Sequence, residues 1–405
     1  MKKILILGAG VYQVPLIKRA KERGYYVMAA SNSKIDNGTS FADEFLEIDT
    51  TDKLNLFKYS EEAGIDAVTT TGTDVAVPSI GFICDKLQLP GLSEYTAYLA
   101  TNKIAMKSKF IENNVPTPGF RAVKNPDDLY RYAKENGFPL VVKAPDSSGS
   151  KGLTIVAGFD ELDHAFDTAM NVSRCGSVIV EEYLEGREFS TSIVVINGDV
   201  VECFIRNKKI TKPPIKVTYC ASCPADLPGN IQNEIYNICA HAVKSLNIKN
   251  AICETDLIIT DEGAKIIELG ARLGSIGAPE IINLYYGVNL YDTALDLAFN
   301  TIPTIPKKHL QASAYYIIAS PHTGTLNYQS VPDRVLDNPN VVSVDFDYPV
   351  GMPVREFKIG ADRIGSILVT GESAPQAERF AAEVLRSIRI DVDTNVQAQK
   401  AETVV

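Results

Sequence analysis

Three stretches of this chain carry residue types suited to a phosphorylated ligand. The first is Val141-Val142-Lys143-Ala144-Pro145-Asp146-Ser147-Ser148-Gly149-Ser150-Lys151-Gly152. An apolar run delivers Lys143 at the end of an ordered element, where its charge can be aimed at phosphate. The loop Ser147, Ser148, Gly149, Ser150, Lys151, Gly152 offers successive backbone N–H groups to phosphate oxygens, and its glycines permit close approach and positive φ. The spacing is not that of a P-loop. A surface hairpin with a lysine before it is the plain alternative. The second stretch is Val180-Glu181-Glu182-Tyr183-Leu184-Glu185-Gly186-Arg187-Glu188-Phe189-Ser190. A strand ends in two acids, passes a short connector and resumes. Its extended backbone can offer a purine edge one acceptor and one donor, and Glu188 can accept from ribose hydroxyls. A charged, solvated turn is the alternative.

The third stretch reads as two strands around Asp261-Glu262-Gly263. Asp256 and Glu268 are equidistant from Glu262. In a hairpin centred there they stand opposite each other on one face, with Cβ atoms about 4.5–5.5 Å apart, where like charges repel. The neighbours Ile252, Leu257, Ile258, Ile266 and Ile267 are apolar, so the pair calls for a cation between its members. One or two carboxylates completed by substrate phosphates are what Mg²⁺ takes. A solvent-facing sheet surface is the alternative, and a one-residue slip would move one acid to the other face. Arg272 follows in a small-residue loop, where its planar fork can reach a carboxylate or a developing acyl phosphate.

Elements that could position these residues are legible around them. Residues 4–7 form an apolar run that breaks at Gly8-Ala9-Gly10, and a helical pattern then runs to Gly24. Further strands are expected at residues 25–30 and 67–70, the latter ending in Gly72-Thr73-Asp74. Strands alternating with helices imply a parallel sheet with right-handed crossovers. The glycine pattern continues to Gln13 rather than a third glycine, and the second strand ends in Ser31-Asn32 without an acid for a ribose. A tight turn is therefore preferred to dinucleotide binding. A helix is expected at residues 102–113, followed by the stiff Pro116-Thr117-Pro118-Gly119. Strands recur at residues 140–144, 153–157, 178–181 and 189–196, and Asn197-Gly198 is a two-residue hairpin turn. A helix at 231–246, a strand pair at 251–260 and 265–269, a Pro-rich boundary at 302–308 and a helix at 374–388 complete the pattern, before a polar tail.

The totals agree with this organisation. At 405 residues two or three domains are expected. No apolar stretch approaches the roughly 18 residues of a membrane span, and no secretory signal is legible. A net charge of −10 argues against non-specific nucleic-acid binding. Seven scattered cysteines suit a reduced, cytoplasmic compartment. Cys220 and Cys223 form one CxxC, but no histidine or second pair lies at ligand spacing, so two unremarkable thiols are expected.

Taken in order, these motifs resemble the ATP-grasp superfamily over roughly residues 102–300. The chain looks most like the branch of L-amino-acid ligases, glycinamide ribonucleotide synthetase-like proteins and carbamoyl-phosphate-synthetase-like domains, and residues 313–392 are similar to the C-terminal region of the first of these. The resemblance implies an α/β and α+β architecture. Residues 1–95 would be a Rossmann-like domain and 96–302 an ATP-grasp domain of two α+β lobes, with a small mobile lobe at about 113–185. Residues 303–405 would be a small C-terminal α+β region. It implies Lys103 and Lys143 as phosphate-contacting lysines and Ser147 to Gly152 as the mobile loop. Glu181 and Leu184 would form the adenine hinge, mainly through backbone, and Glu188 would hold the ribose. Asp256 and Glu268 would be the magnesium carboxylates, and Arg272 the arginine at the transferred phosphoryl group. The implied cofactors are ATP and Mg²⁺, with Mn²⁺ as a substitute. The implied reaction joins a small carboxylate to an amine through an acyl phosphate, with no nucleic-acid or membrane partner.

One position departs from the family pattern. An Asn often stands two residues after the second carboxylate, and here that residue is Gly270. The hairpin register pairs Glu254 with Gly270, so Glu254 is expected near the metal site, partly covering the missing ligand. Lys208, Lys209 and Lys212 read as a run in a substrate loop or a solvated face. The segments 211–224 and 275–286 read as loops that shape the substrate pocket. A glycinamide ribonucleotide synthetase, a bicarbonate-activating enzyme and an ATP-binding module without turnover stay open as alternatives. Oligomeric state is also open, a homodimer being the commonest outcome.

Overall fold

The computed structural model describes residues 1–212, 216–306 and 308–394. The polar tail and part of the 211–224 segment therefore lie outside the described residues. The N-terminal sheet has the strand order Glu44–Glu47, Tyr26–Ser31, Lys3–Leu7, Ala67–Thr69, all parallel. Its central strand is buried on both faces, which is why it reads as a continuous apolar run. Leu5 and Leu7 pack with Leu56, Ile80 and Ile83 on one side. Ile4 and Ile6 pack with Leu16 and Ile17 on the other, together with Leu295 from the distant helix Leu290–Ala298. Arg19 and Arg23 tie that helix down through Asp292 and Asp296. At the glycine turn the Gln13 amide accepts from Gly10 N at 2.9 Å and donates to the Thr71 carbonyl. A glutamine side chain thus fills the place a third glycine would have left open.

A second, four-stranded antiparallel sheet has the order Phe120–Val123, Val178–Glu182, Leu140–Lys143, Thr154–Val156. Helices Pro126–Asn136 and Leu162–Met170 cover one face of it. Leu140, Val142, Val178 and Val180 enter that core. The period of two then turns Val141, Lys143 and Glu181 to the opposite face, toward the cleft.

The third sheet is antiparallel throughout and has eight strands. Its order is Gly263–Gly270, Ala251–Thr260, Arg187–Ile196, Asp199–Ile210, Thr218–Cys223, Ala312–Ala319, Arg363–Gly371, Val341–Phe346. It runs across the Pro-rich segment near residue 302, so the C-terminal strands extend the same sheet that carries the candidate site. Asn197 and Gly198 turn its first hairpin, both with positive φ.

Several expectations require correction. The hairpin of Ala251–Thr260 and Gly263–Gly270 is centred between Asp261 and Glu262, because Thr260 pairs with Gly263. A regular ladder from that turn would set Asp256 opposite Ile267. A bulge shifts the register past Leu257–Ile266, and Asp256 then meets Glu268, as Glu254 meets Gly270. Lys208 and Lys209 lie on the strand Asp199–Ile210, not in a loop. The segment 211–224 contains the strand Thr218–Cys223, and 275–286 contains the helix Ala278–Tyr286, entered at Pro279 and closed by Gly287.

Candidate active site

The three sheets described above border one cleft of about 860 Å³. Asn102 caps the helix Lys103–Glu112 through Ala105 N, which fixes Lys103 at the first turn. Lys103 Nζ donates to the Ser147 carbonyl at 2.7 Å and lies 3.1 Å from Glu268. Burial opposes its charge, but Glu268 and Asp74 outweigh burial and hold its pKa above the ordinary lysine value. Lys143 reaches Glu181 at 3.0 Å from the neighbouring strand. Behind them lies Lys107, fully buried, 3.5 Å from Glu181 and donating to Thr117 Oγ1 at 2.8 Å. Burial pushes the Lys107 ammonium down to about 8, against the pull of Glu181. Thr117 in turn donates to the Ile266 carbonyl of the acidic hairpin. Glu181 therefore works through its side chain as a shared counter-ion of two lysines. The sequence pattern assigns Glu181 a hinge role mainly through backbone and does not single out Lys107.

Asp256 accepts from Ser190 at 2.6 Å and from Lys208 at 2.7 Å. Lys208 also lies 3.6 Å from Glu188, whose other oxygen accepts from Lys216 at 2.6 Å. Burial works against the Lys208 charge, and Asp256 and Glu188 overcome it. Lys209, one residue on, points to the other face and pairs with Glu378. Burial would raise the Glu268 carboxyl, but Lys103, Lys143 and Lys208 hold it down at about 2. Asp256 and Glu268 are hard oxygen donors on paired positions, so they fit a Mg²⁺ ion completed by phosphates and water. Among the described residues no cluster of three metal-ligating side chains occurs.

The loop lines the cleft with Ser147, Ser148, Gly149, Ser150 and Lys151. Gly149 and Ser150 have positive φ, and the Ser150 hydroxyl donates to the Lys216 carbonyl at 2.7 Å. Gly152 instead packs against Val172, outside the lining. Tyr183 and Leu184 follow the strand that ends at Glu182 and line the cleft beside Glu188.

At the far end the basic partners change. Glu254 stays on the cleft face, but its carboxylate is held by Ser192 at 2.8 Å and by the Arg206 guanidinium. Arg272 donates to Asp74 at 2.9 Å. Asp74 comes from the N-terminal sheet and packs against Gly270, where a Cβ would lie 2.6 Å from its Oδ1. Cys220 and Cys223 sit three residues apart on one strand, hence on opposite faces. Burial pushes both thiols up to about 12.

Comparison with known proteins adds identity to this geometry. Residues 100–275 match the model of an ATP-grasp domain, and residues 316–393 match that of an L-amino acid ligase C-terminal domain 2. The L-arginine-specific L-amino acid ligase of Bacillus subtilis is 22% identical over 276 residues, which cover 66% of this chain and 63% of that protein, under two thirds of its length. An L-amino acid ligase from Bacillus licheniformis superposes with a TM-score of 0.83 at 22% identity, covering 97% of this chain and 99% of that one. A phosphoribosylglycinamide synthetase from Anaerococcus prevotii superposes with a TM-score of 0.79 at 26% identity, covering 97% and 100%.

Proposed function

Because the chain belongs to the ATP-grasp ligases, we propose that it joins a small carboxylate, such as an amino acid, to an amine through an acyl phosphate. The observation that carries this reading is the Asp256–Glu268 pair, faced by Lys103, Lys143 and Lys208 in one cleft. In the first step a substrate carboxylate oxygen attacks the γ-phosphorus of ATP, and ADP leaves. In the second step the amine attacks the acyl carbon, and inorganic phosphate leaves. Asp256 and Glu268 would hold Mg²⁺, or Mn²⁺ in its place, and the ion would supply charge neutralisation to the phosphates.

The chain's own residues position the reactants and meet charge as it develops. Lys103 and Lys143 contact phosphate oxygens once freed from Glu268 and Glu181. Loop residues Ser147 to Ser150 give backbone donors and close the site against water. Leu184 flanks the purine, and Glu188 takes the ribose hydroxyls as Lys216 withdraws. Arg272 holds the substrate carboxylate and then the acyl phosphate with its fork. Substrate-dependent ADP release tests the reading, with Lys143→Ala lowering it by on the order of 10³-fold. Retained turnover in that variant would remove the phosphate role.

A second reading, glycinamide ribonucleotide synthesis, is supported by the likeness to the Anaerococcus enzyme. Tyr12, in the glycine turn, lines the cleft and donates to the Gly360 carbonyl at 2.7 Å, so it is a residue that a bound ribose phosphate would have to accommodate. Activity with phosphoribosylamine and glycine alone would favour this second reading. ADP release that no substrate stimulates would favour an ATP-binding module. A cytoplasmic homodimer is the form we propose for the enzyme, and sedimentation checks its assembly.

A further inference from the structure

Asp74 has no part in the phosphate chemistry, yet it is fixed at the edge of that centre. Its turn is clamped to the Arg272 loop: Thr71 Oγ1 donates to the Gly274 carbonyl at 3.0 Å and Gly72 N to the Leu273 carbonyl at 3.0 Å. Asp74 raises the pKa of Lys103, and Glu268 and Asp256 both act on Arg272, so these charges share one neighbourhood. Among the described acids of the cleft wall, Asp74 is the one the N-terminal sheet supplies.

Its bonding is incomplete. Oδ2 accepts from Arg272, while Oδ1 is buried without a hydrogen-bond partner. An unpaired buried carboxylate oxygen is unfavourable unless a donor arrives, and 24% of the side chain remains open. The guanidinium at 2.9 Å disfavours a divalent cation beside Asp74 but leaves acceptor sites for N–H donors. Gly270 is what makes room for this carboxylate, because any Cβ there collides with Oδ1.

Building on the ligase reading, we propose that Asp74 binds the ammonium group of the amine substrate and accepts its proton as the C–N bond forms. Loss of that proton frees the nitrogen lone pair, which attacks the acyl carbon. As the C–O bond to phosphate breaks, the nitrogen gives up its second proton. The departing phosphate takes both this proton and the one held by Asp74, leaving the amide and dihydrogen phosphate. Asp74 thus serves the second half-reaction, while Arg272, its partner, holds the carboxylate and then the acyl phosphate through both.

The test uses the full chain with Mg-ATP, a carboxylate that stimulates ADP release, and either an alkyl amine or hydroxylamine, which is already unprotonated at neutral pH. Asp74→Asn keeps an acceptor for Arg272. Its ratio of amide to hydroxamate should fall by on the order of 10²-fold, and raising the pH should restore it. Gly270→Ala, which displaces Asp74 without changing its chemistry, should show the same selective loss. In the unsubstituted protein that ratio should stay flat below the amine's pKa. A rise of about tenfold per pH unit would mean the amine arrives neutral from solution and would overturn the proposal. Equal loss of both products in Asp74→Asn would place Asp74 on the carboxylate substrate, with the same consequence. An unchanged ratio would overturn the proposal while leaving the ligase reading intact. Absence of hydroxamate from the unsubstituted protein would overturn both.

Discussion

The two ends of the cleft pair their carboxylates with different cations. At the end assigned to the nucleotide every pairing uses lysine: Lys103 with Glu268, Lys143 with Glu181, Lys208 with Asp256 and Lys216 with Glu188. At the end assigned to the substrate both use arginine, Arg206 with Glu254 and Arg272 with Asp74. Lysine is a rotatable point charge on a flexible stem, whereas arginine is a planar fork that matches a carboxylate with two bonds. The lysine pairs are suited to exchange partners, ammonium groups moving to phosphate and carboxylates turning to metal and ribose. The arginine pairs are suited to hold one orientation while a carboxylate docks.

Four substitutions press on this contrast. Arg272→Lys keeps the charge and removes the fork, so kcat should fall on the order of 10²-fold with KM for ATP unchanged. A loss shared with KM for ATP would erase the distinction between the two ends. Asp256→Asn should raise the Mg²⁺ concentration for half-maximal ADP release by roughly tenfold or more, read by metal titration. Lys107→Met removes the charge behind Glu181, which should then draw Lys143 back from phosphate. KM for ATP should rise by roughly tenfold, about 1.4 kcal/mol of binding, with kcat changed less. The same variant alters stability in a defined direction. The buried Lys107 titrates near 8, below the ordinary lysine value, so the unfolded chain binds more protons between pH 8 and about 10.5. The stability of the unsubstituted protein relative to Lys107→Met should therefore rise with pH across that window, read by denaturant unfolding of the two proteins side by side. Cys223→Ala tests the weakest feature: it should cost about 1 kcal/mol and leave ADP release insensitive to zinc chelators.

What the residues alone revealed was mostly local. The strand Ala251–Thr260, the helix expected over residues 102–113 and the turn at Asn197-Gly198 each depend on neighbours within a few positions. The Asp256–Glu268 pairing was reached from a turn centred on Glu262. The observed turn lies half a residue away, and only the bulge compensates. A bulge leaves little trace in an alternation of apolar residues. Lys208 reads as part of a run in a substrate loop or on a solvated face because three lysines cluster in sequence, yet the strand sends Lys208 and Lys209 to opposite faces. The roles of Glu181, Lys107 and Asp74 depend on contacts 38, 74 and 198 residues apart, beyond the reach of local pattern. The sheet joining Thr218–Cys223 to Ala312–Ala319 is hidden for the same reason. Helix Ala278–Tyr286 did carry signals, Pro279 near its start and Gly287 just past its end, but a reading centred on loops passed over them.

The measurement that bears most directly on the central claim is hydroxamate trapping coupled to ADP release. The unsubstituted protein is given Mg-ATP, hydroxylamine and one carboxylate at a time from a panel of amino acids and other small acids. An acyl-phosphate ligase predicts at least one carboxylate that yields hydroxamate and ADP in equal amounts, both lost in Lys143→Ala. If carboxylates raise ADP release with no hydroxamate formed, or if none raises it at all, activation through an acyl phosphate is contradicted.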